Sequence, residues 1–259
     1  MRPRVNDQNR PSREIDERVL SARGRGESLY TLDIDLLRSL DPDLLLTQNL
    51  CGVCSVTEAE VAAACARAGV TPRVVSLAPT NLGEVWDSIE TVGRELHDAD
   101  GAGSLATSLR DRTRVAPTSG RTVAVVEWLD PPILAGLWTP DLITAAGGIS
   151  VGPRRSQPGV RTTWPELARS SPDLLVLSPC SFAVERTIRE LRSDPRLMDS
   201  IRGVQPRLGS YVADEAYFSR PGPRLAAGAE LIHTLLSGGP PFGPMPVEPL
   251  SAVRREVSA

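Results

Sequence analysis

Apolar runs of strand length alternate with segments of helical periodicity along most of the chain. The apolar runs predict buried strands over residues 44–47, 73–77, 121–126, 174–177 and 210–212. Apolar positions at three- and four-residue spacing predict helices over residues 33–40, 57–68, 82–97, 140–146, 164–170, 183–192 and 223–236. Alternation of this kind is typical of an α/β fold with parallel sheets.

One sequence unit occurs twice. Residues 40–47 read LDPDLLLT and residues 170–177 read SSPDLLVL, and each copy predicts a helix end, a Pro-Asp turn and a buried strand. The repeat predicts two lobes of related design. A clear strand precedes the second copy, whereas residues 1–41 contain no comparable β-branched run. We therefore expect the first lobe to be incomplete.

The repeat also suggests how the chain is divided. We predict an incomplete N-terminal α/β lobe over residues 1–81 and a C-terminal α/β lobe over residues 116–237. Between them, residues 82–115 have a helical pattern that is clear to residue 97 and less clear beyond it. Residues 238–259 carry five prolines before Leu250 and are predicted to be a loop-like tail.

Composition excludes several classes of protein. The 259 residues are 41% hydrophobic and 24% charged, with a formal net charge of −3. This balance excludes an intrinsically disordered chain and a basic nucleic-acid-binding domain. All 29 basic residues are Arg, so chemistry that needs a Schiff-base or P-loop lysine is excluded. No apolar run approaches the roughly 20 residues of a membrane-spanning helix, so we expect no membrane insertion.

Aromatic residues cluster after the predicted strands of the second lobe. The chain has four Trp, three Tyr and three Phe, and half of them follow three of these strands: Trp128, Trp138, Phe182, Tyr217 and Phe218. Ligands of open parallel sheets bind outside the carboxyl ends of the strands. Flat apolar rings with a few polar tips suit a large, partly apolar ligand.

Cysteines show a similar distribution. Cys51, Cys54 and Cys180 follow predicted strands, whereas Cys65 lies in a helix and is predicted to pack in the core. The CxxC spacing of Cys51 and Cys54 leaves three states open: half of a zinc site, a disulfide, or reduced thiols that line a pocket. A structural zinc needs two further ligands, and both His residues of the chain fall inside predicted helices.

Two motifs of common enzymes are missing. The sequence contains no HExxH and no GxGxxG after a strand. Acid–base chemistry would rest on carboxylates near the strand ends, namely Glu127, Asp130, Asp214 and Glu215. Turn and strand-end roles account for these residues more simply, so the sequence does not predict an enzyme.

The strand-end loops resemble those of a known family. The segments EWLDPP (127–132), SPC (178–180) and AYFSRPGPR (216–224) are similar to the cobalamin-binding members of the helical-backbone class of ABC-transporter substrate-binding proteins. TQNLCGVC (47–54) looks like the first-lobe loop of the same family. The resemblance implies the class III periplasmic-binding-protein fold, in which one long helix, here over residues 82–115, bridges two Rossmann-like lobes. A ligand is held between the lobes and no reaction is catalysed.

This resemblance implies a function and a set of site residues. The protein would capture a corrinoid, with cobalamin as bound ligand and no catalytic cofactor, and would present it as a monomer to an ABC permease. The aromatic rings would pack on the macrocycle, polar side chains would bond its amides, and cysteines would line the pocket. The expected ligand-binding residues are Gln48, Asn49, Cys51, Cys54, Trp128, Asp130, Trp138, Cys180, Phe182, Tyr217, Phe218 and Arg220.

The sequence departs from the family pattern at its start. MRPRVNDQNRPSREIDERV has no apolar core of a signal peptide and no lipid-anchoring Cys, which predicts a cytoplasmic protein as written, whereas the family is extracytoplasmic. We expect a start placed too late rather than a shortened intracellular derivative. Two alternatives to corrinoid capture remain: binding of haem or a ferric siderophore by the same fold, and a cytoplasmic thiol oxidoreductase that acts through Cys51 and Cys54.

Overall fold

The computed structural model describes residues 2–3, 10–50 and 56–253. The chain divides into two compact units, Met1–Pro79 and Thr80–Ala259. Each unit combines helices with strands, so the α/β class predicted from the sequence is confirmed.

The first unit is built around two short sheets. Its elements are β1 (Arg2–Pro3), α1 (Ser12–Gly24), β2 (Tyr30–Thr31), α2 (Ile34–Leu40), β3 (Leu44–Gln48), α3 (Glu58–Ala68) and β4 (Arg73–Leu77). Strand β1 pairs with β2 in antiparallel orientation, and β3 pairs with β4 in parallel. The two strands predicted for this lobe are therefore confirmed.

A small apolar cluster joins α2, α3 and β3. Val61 and Cys65 of α3 form part of it, with Leu37 and Leu45 packed against them, so the core role predicted for Cys65 is confirmed. Beside the cluster lies a cavity of about 540 Å³. Leu46, in the middle of β3, remains 44% exposed because a two-stranded sheet is too narrow to enclose its own apolar residues.

The second unit holds the larger sheet. Its elements are α4 (Leu82–Glu95), α5 (Ala99–Arg112), β5 (Thr122–Leu129), β6 (Pro132–Leu134), α6 (Thr139–Ala145), β7 (Ile149–Ser150), β8 (Val160–Arg161), α7 (Trp164–Ser170), β9 (Leu174–Leu177), α8 (Val184–Ser193), α9 (Pro195–Arg202), β10 (Ser210–Ala213), α10 (Leu225–Leu236) and β11 (Val247–Pro249). The strand order is β11-β10-β9-β5-β6-β8, and β7 also pairs with β5.

Strand β9 is the centre of this sheet. It pairs in parallel with β5 on one side and with β10 on the other, and all four of its side chains are fully buried. Helices α7, α8 and α9 contribute Leu167, Leu191 and Met198 to the core beneath it. Burial on both faces explains why β9 is a continuous apolar run rather than an alternating one.

The single helix predicted over residues 82–115 is wrong. Helix α4 ends at Glu95, His97 adopts a positive φ of 59°, and Asp98 caps α5 by accepting a hydrogen bond from the amide of Gly101. Helix α5 then folds back along α4, because Arg110 reaches both Asp87 and Glu90 at 2.7 Å. The reversal between Glu95 and Ala99 contains no Gly or Pro, the residues that usually mark the end of a helix in a sequence. The helical periodicity therefore gave no sign of it. Both helices belong to the second compact unit.

The two copies of the repeated sequence unit adopt the same local structure. Asp41 and Ser171 end α2 and α7 with positive φ values of 38° and 46°. In each copy the backbone carbonyl oxygen of the Asp in the Pro-Asp turn accepts a hydrogen bond from an amide at or just before the next parallel strand. Arg73 donates to Asp43 at 2.9 Å, and Leu208 donates to Asp173 at 2.8 Å. The similarity predicted for the two copies therefore holds for the helix end, the Pro-Asp turn and the start of the strand.

The segment after α10 is more ordered than predicted. Strand β11 pairs with β10 at the edge of the sheet, and Leu250 and Val253 pack into the core. Arg202 also donates a hydrogen bond to the carbonyl oxygen of Val253 at 3.2 Å. The loop prediction is thus wrong for residues 247–253, because prolines are compatible with an edge strand.

Within the described residues, none of the helices combines the length and the apolar character needed to cross a bilayer.

We expect Gly93→Ala to destabilise the second unit. A Cβ atom at Gly93 would lie 2.1 Å from the Cβ of Ala102 and 2.8 Å from the carbonyl oxygen of Asp98, so α4 and α5 would be forced apart. The free energy of unfolding should fall by about 1–3 kcal/mol. Urea denaturation followed by tryptophan fluorescence measures it, because all four Trp residues lie after residue 80.

Gly103→Ala on α5 is the matched control. A Cβ atom there meets nothing within 4 Å. This variant should be up to about 1 kcal/mol more stable, since Ala favours helix over Gly. Equal losses in both variants would contradict the close packing of α4 on α5.

We expect Asp173→Asn to weaken the start of β9 in a pH-dependent way. The Asp173 carboxylate accepts hydrogen bonds from the amide of Thr122 at 2.8 Å and from Arg207 at 2.8 Å. These contacts, above all that with the Thr122 amide, hold the pKa of Asp173 below its ordinary value. A carboxyl group with a lowered pKa stabilises the fold above its unfolded-state pKa and loses that contribution as the pH falls through the folded-state pKa.

The substitution should therefore cost about 1.5–3 kcal/mol at pH 7, and the difference from the natural protein should shrink below about pH 4. Urea titrations at pH 7 and pH 3 measure this change. Asp100→Asn, at an exposed position of α5, should have little effect at either pH. A cost for Asp173→Asn that does not vary with pH would show that the carboxylate charge is not the stabilising feature.

Candidate functional site

The carboxyl ends of β5, β9 and β10 meet at one edge of the large sheet, because the three strands are parallel neighbours. Their loops are joined by hydrogen bonds. The amide of Cys180 donates to the carbonyl oxygen of Glu127 at 2.9 Å, which ties the loop after β9 to β5. The hydroxyl of Ser178 donates to the carbonyl oxygen of Asp214 at 3.1 Å, which ties it to the loop after β10. We call these three connected segments the strand-end loops.

Glu215 is the charged centre of the strand-end loops. Its carboxylate is buried and accepts a hydrogen bond from the amide of Ser181 at 2.9 Å. The same carboxylate pairs with Arg220, whose side chain remains 65% exposed. Glu215 therefore links the loop after β10 to the loop after β9. It also holds the guanidinium group of Arg220 at the solvent-facing side of these loops. This is a positioning role, and it differs from the acid–base role that the sequence left open for Glu215.

Four of the predicted ligand-binding rings lie in the interior. Trp138, Phe182, Tyr217 and Phe218 are all buried. The indole N–H of Trp138 donates to the carbonyl oxygen of Phe218 at 2.6 Å, and the Tyr217 hydroxyl donates to the carbonyl oxygen of Met245 at 2.8 Å. Burial raises the pKa of Tyr217 above its ordinary value. In this conformation these rings pack among the strand-end loops, and their ligand-binding role stays a prediction from the sequence.

Trp128 differs from the other rings of the strand-end loops. It lies near the end of β5 and is only partly buried. Its ring centroid is 5.3 Å from that of Phe182 at an interplanar angle of 47°. Its indole N–H is enclosed and makes no hydrogen bond with the described residues, an arrangement that costs about 1–3 kcal/mol in a buried group. Trp128 is thus the predicted aromatic residue with surface left for a ligand.

The remaining predicted residues fall in three groups. Asp130 and Cys180 are half-buried in the strand-end loops. Gln48 and Asn49 are exposed at the end of β3 in the first unit, and their ligand-binding role stays a prediction from the sequence. Cys51 and Cys54 lie outside the described residues. The zinc site, the disulfide and the reduced thiols considered for them stay predictions from the sequence. Across the described segments, no group of three or more His, Cys, Asp or Glu residues could hold a metal ion.

Sequence reasoning missed the residue beneath this site. Arg186 of α8 lies with its guanidinium carbon 4.1 Å from the centroid of the Phe182 ring. The signal was a spacing of four residues from Phe182 to Arg186 and again from Arg186 to Glu190. Such a pair is ordinarily read as part of a solvated helix face. Only the packed structure shows that this pair faces inward.

Comparison with known proteins identifies the fold. No protein-family profile matches the chain, and no curated protein sequence matches it. A periplasmic heme binding protein from Pseudomonas aeruginosa superposes with a TM-score of 0.63 at 16% identity, over 85% of this chain and 81% of that chain. An Fe3+-hydroxamate transport protein from Saccharomonospora viridis gives a TM-score of 0.57 at 20% identity, over 80% and 72%.

The periplasmic vitamin B12 binding protein of Vibrio cholerae also superposes, with a TM-score of 0.54 at 17% identity, over 82% of this chain and 80% of that chain. At these identities the likeness concerns the fold alone. The fold class expected from the sequence, that of class III periplasmic binding proteins, is confirmed. The three proteins are named for three different ligands, so the fold does not select among them.

We expect Glu215→Gln to loosen the strand-end loops. A neutral amide loses the ion pair with Arg220 and weakens the hydrogen bond from the Ser181 amide. Amide hydrogen exchange at Ser181 should accelerate about three- to tenfold, the difference between a charge-assisted and a neutral hydrogen bond. Glu248→Gln, at an exposed position of β11, is the control and should leave Ser181 unchanged. Unaltered exchange in Glu215→Gln would contradict the positioning role.

Proposed function

We propose that this protein is a substrate-binding component of an ABC importer. The observation that carries the proposal is its fold, which matches periplasmic binding proteins for heme, hydroxamate-bound iron and vitamin B12 over 80–85% of the chain. A protein of this kind binds its ligand, catalyses no reaction and delivers the ligand to a permease.

We propose a corrinoid as the ligand, on the basis of charge and aromatic character. The strand-end loops carry Glu127, Asp130, Asp214 and Glu215 against two cations, Arg224 and Arg220, and Arg220 already pairs with Glu215. This balance is unfavourable for the two carboxylates of haem and for an anionic siderophore. The side chains of a corrinoid are mostly neutral amides, which hydrogen-bond to carboxylates and backbone groups alike. The same loops offer the face of Trp128 to an apolar macrocycle.

The residues would then have separate tasks. Trp128 packs on the macrocycle, Asp130 accepts hydrogen bonds from its amides, and Cys180 lines the edge of the site. Arg220, fixed by Glu215, donates to a carbonyl oxygen of the ligand. The buried rings of Trp138, Phe182, Tyr217 and Phe218 keep the loops in place. Pre-organisation of this kind lowers the entropy cost of binding.

Co-elution tests the proposal directly. The protein is mixed separately with cyanocobalamin, haemin and ferrichrome and passed through a gel-filtration column, and visible absorbance is recorded across the protein peak. We expect cyanocobalamin to co-elute. Retention of haemin or ferrichrome alone would keep the transport role and change the ligand. Retention of none of the three would contradict the proposed function.

We expect Trp128→Ala to weaken cyanocobalamin binding by about 2–4 kcal/mol, the range for loss of an aromatic anchor. Isothermal titration calorimetry measures the change. Trp86→Ala is the comparison, because Trp86 is buried in α4 and its loss should lower the unfolding free energy and leave the affinity of the folded protein unchanged. Equal effects of the two variants on affinity would refute the assignment of Trp128.

A further inference from the structure

A charged pair is buried beneath the strand-end loops. Arg186 and Glu190 of α8 are 6% and 7% exposed, and a guanidinium nitrogen of Arg186 donates to the Glu190 carboxylate at 2.9 Å. Removing two charges from water is costly, and apolar residues of similar size are often as stable at such positions. The pair therefore calls for an explanation beyond the stability of α8.

The explanation lies in what the guanidinium contacts. Arg186 lies over the ring of Phe182 at 4.1 Å, and the Phe182 ring is in turn tilted against Trp128 at 5.3 Å. Glu190, Arg186, Phe182 and Trp128 thus form a continuous series of contacts. It runs from the interior of α8 to the partly exposed ring at the strand ends.

We propose that Arg186 is a positioning residue for Trp128, acting through Phe182. This inference rests on the proposed function, since it concerns the ring assigned to the ligand. A planar guanidinium stacks on an aromatic face and restrains its tilt, whereas an ammonium group is a compact point charge. Glu190 keeps the guanidinium in that plane. The loop that carries Phe182 is held a second time at Ser181 by Glu215.

Two variants separate this role from simple stability. Arg186→Lys keeps the charge beside Glu190 but loses the planar stack. Arg186→Met combined with Glu190→Gln removes both charges, so that no unpaired carboxylate remains buried. Arg112→Lys is the matched control, because Arg112 forms an exposed ion pair with Glu230 at 2.8 Å and contacts no aromatic ring in the interactions described.

The first measurement needs no ligand. Acrylamide quenching of tryptophan fluorescence reports mainly Trp128, because Trp86, Trp138 and Trp164 are buried. Subtracting the signal of the same variant with Trp128→Phe isolates it. We expect the quenching constant of Trp128 to rise about twofold in both Arg186 variants, as the ring loses its restraint. It should stay unchanged in Arg112→Lys.

The second measurement is the affinity for cyanocobalamin. We expect it to fall about five- to tenfold in both Arg186 variants, with unchanged affinity in Arg112→Lys. Unchanged quenching in the Arg186 variants would overturn the positioning role, whether or not the natural protein binds the probe. Changed quenching with unchanged affinity would also overturn it. Absence of binding by the natural protein would count against the proposed function alone, because the quenching arm does not depend on it.

Discussion

The parallel pairing of β9 with both β5 and β10 is the constraint on which the second unit depends. All four side chains of β9 are fully buried, so the strand cannot shift its register without exposing apolar surface. At its amino end, Asp173 fixes the start of the register by bonding to Thr122. At its carboxyl end, the same register places three loops side by side. The candidate site is a consequence of that arrangement.

Most of the aromatic surface at this edge is used for stability. Burying a large ring is among the strongest contributions a side chain can make, and Trp138 and Tyr217 add hydrogen bonds to backbone carbonyl groups. The loops are thereby rigid enough to hold Trp128 and Arg220 in defined positions. A site built on loops needs such support, because loops otherwise lose precision. The interior rings and the accessible ring therefore have complementary roles.

The two copies of the repeated unit show how surroundings decide burial. Leu46 of β3 and Val176 of β9 occupy equivalent positions, yet Leu46 is 44% exposed and Val176 is 0% exposed. Their local backbone is the same, including the turn residue with positive φ before each strand. The difference arises because β9 has a strand on each side, whereas β3 pairs with β4 alone among the described strands. Local sequence sets the conformation, and neighbouring strands set the exposure.

The sequence by itself determined the local elements of the fold. Apolar runs defined β4 and β9 to the residue. For β9 the run is continuous because a strand that is buried on both faces must be apolar throughout. Pro-Asp turns and helix caps defined the repeated unit, because they act over three or four residues. The positions of the aromatic residues at the strand ends followed from the same local pattern.

Only the tertiary structure decided what depends on distant contacts. The reversal between α4 and α5, the ordered strand β11 and the burial of Tyr217 all rest on partners far along the chain, such as Met245 for Tyr217. The inward direction of Arg186 likewise depends on the packing of α8. Periodicity reports which face of an element is apolar. It does not report which element will cover that face, and for this reason the roles of the site residues became visible only in the folded chain.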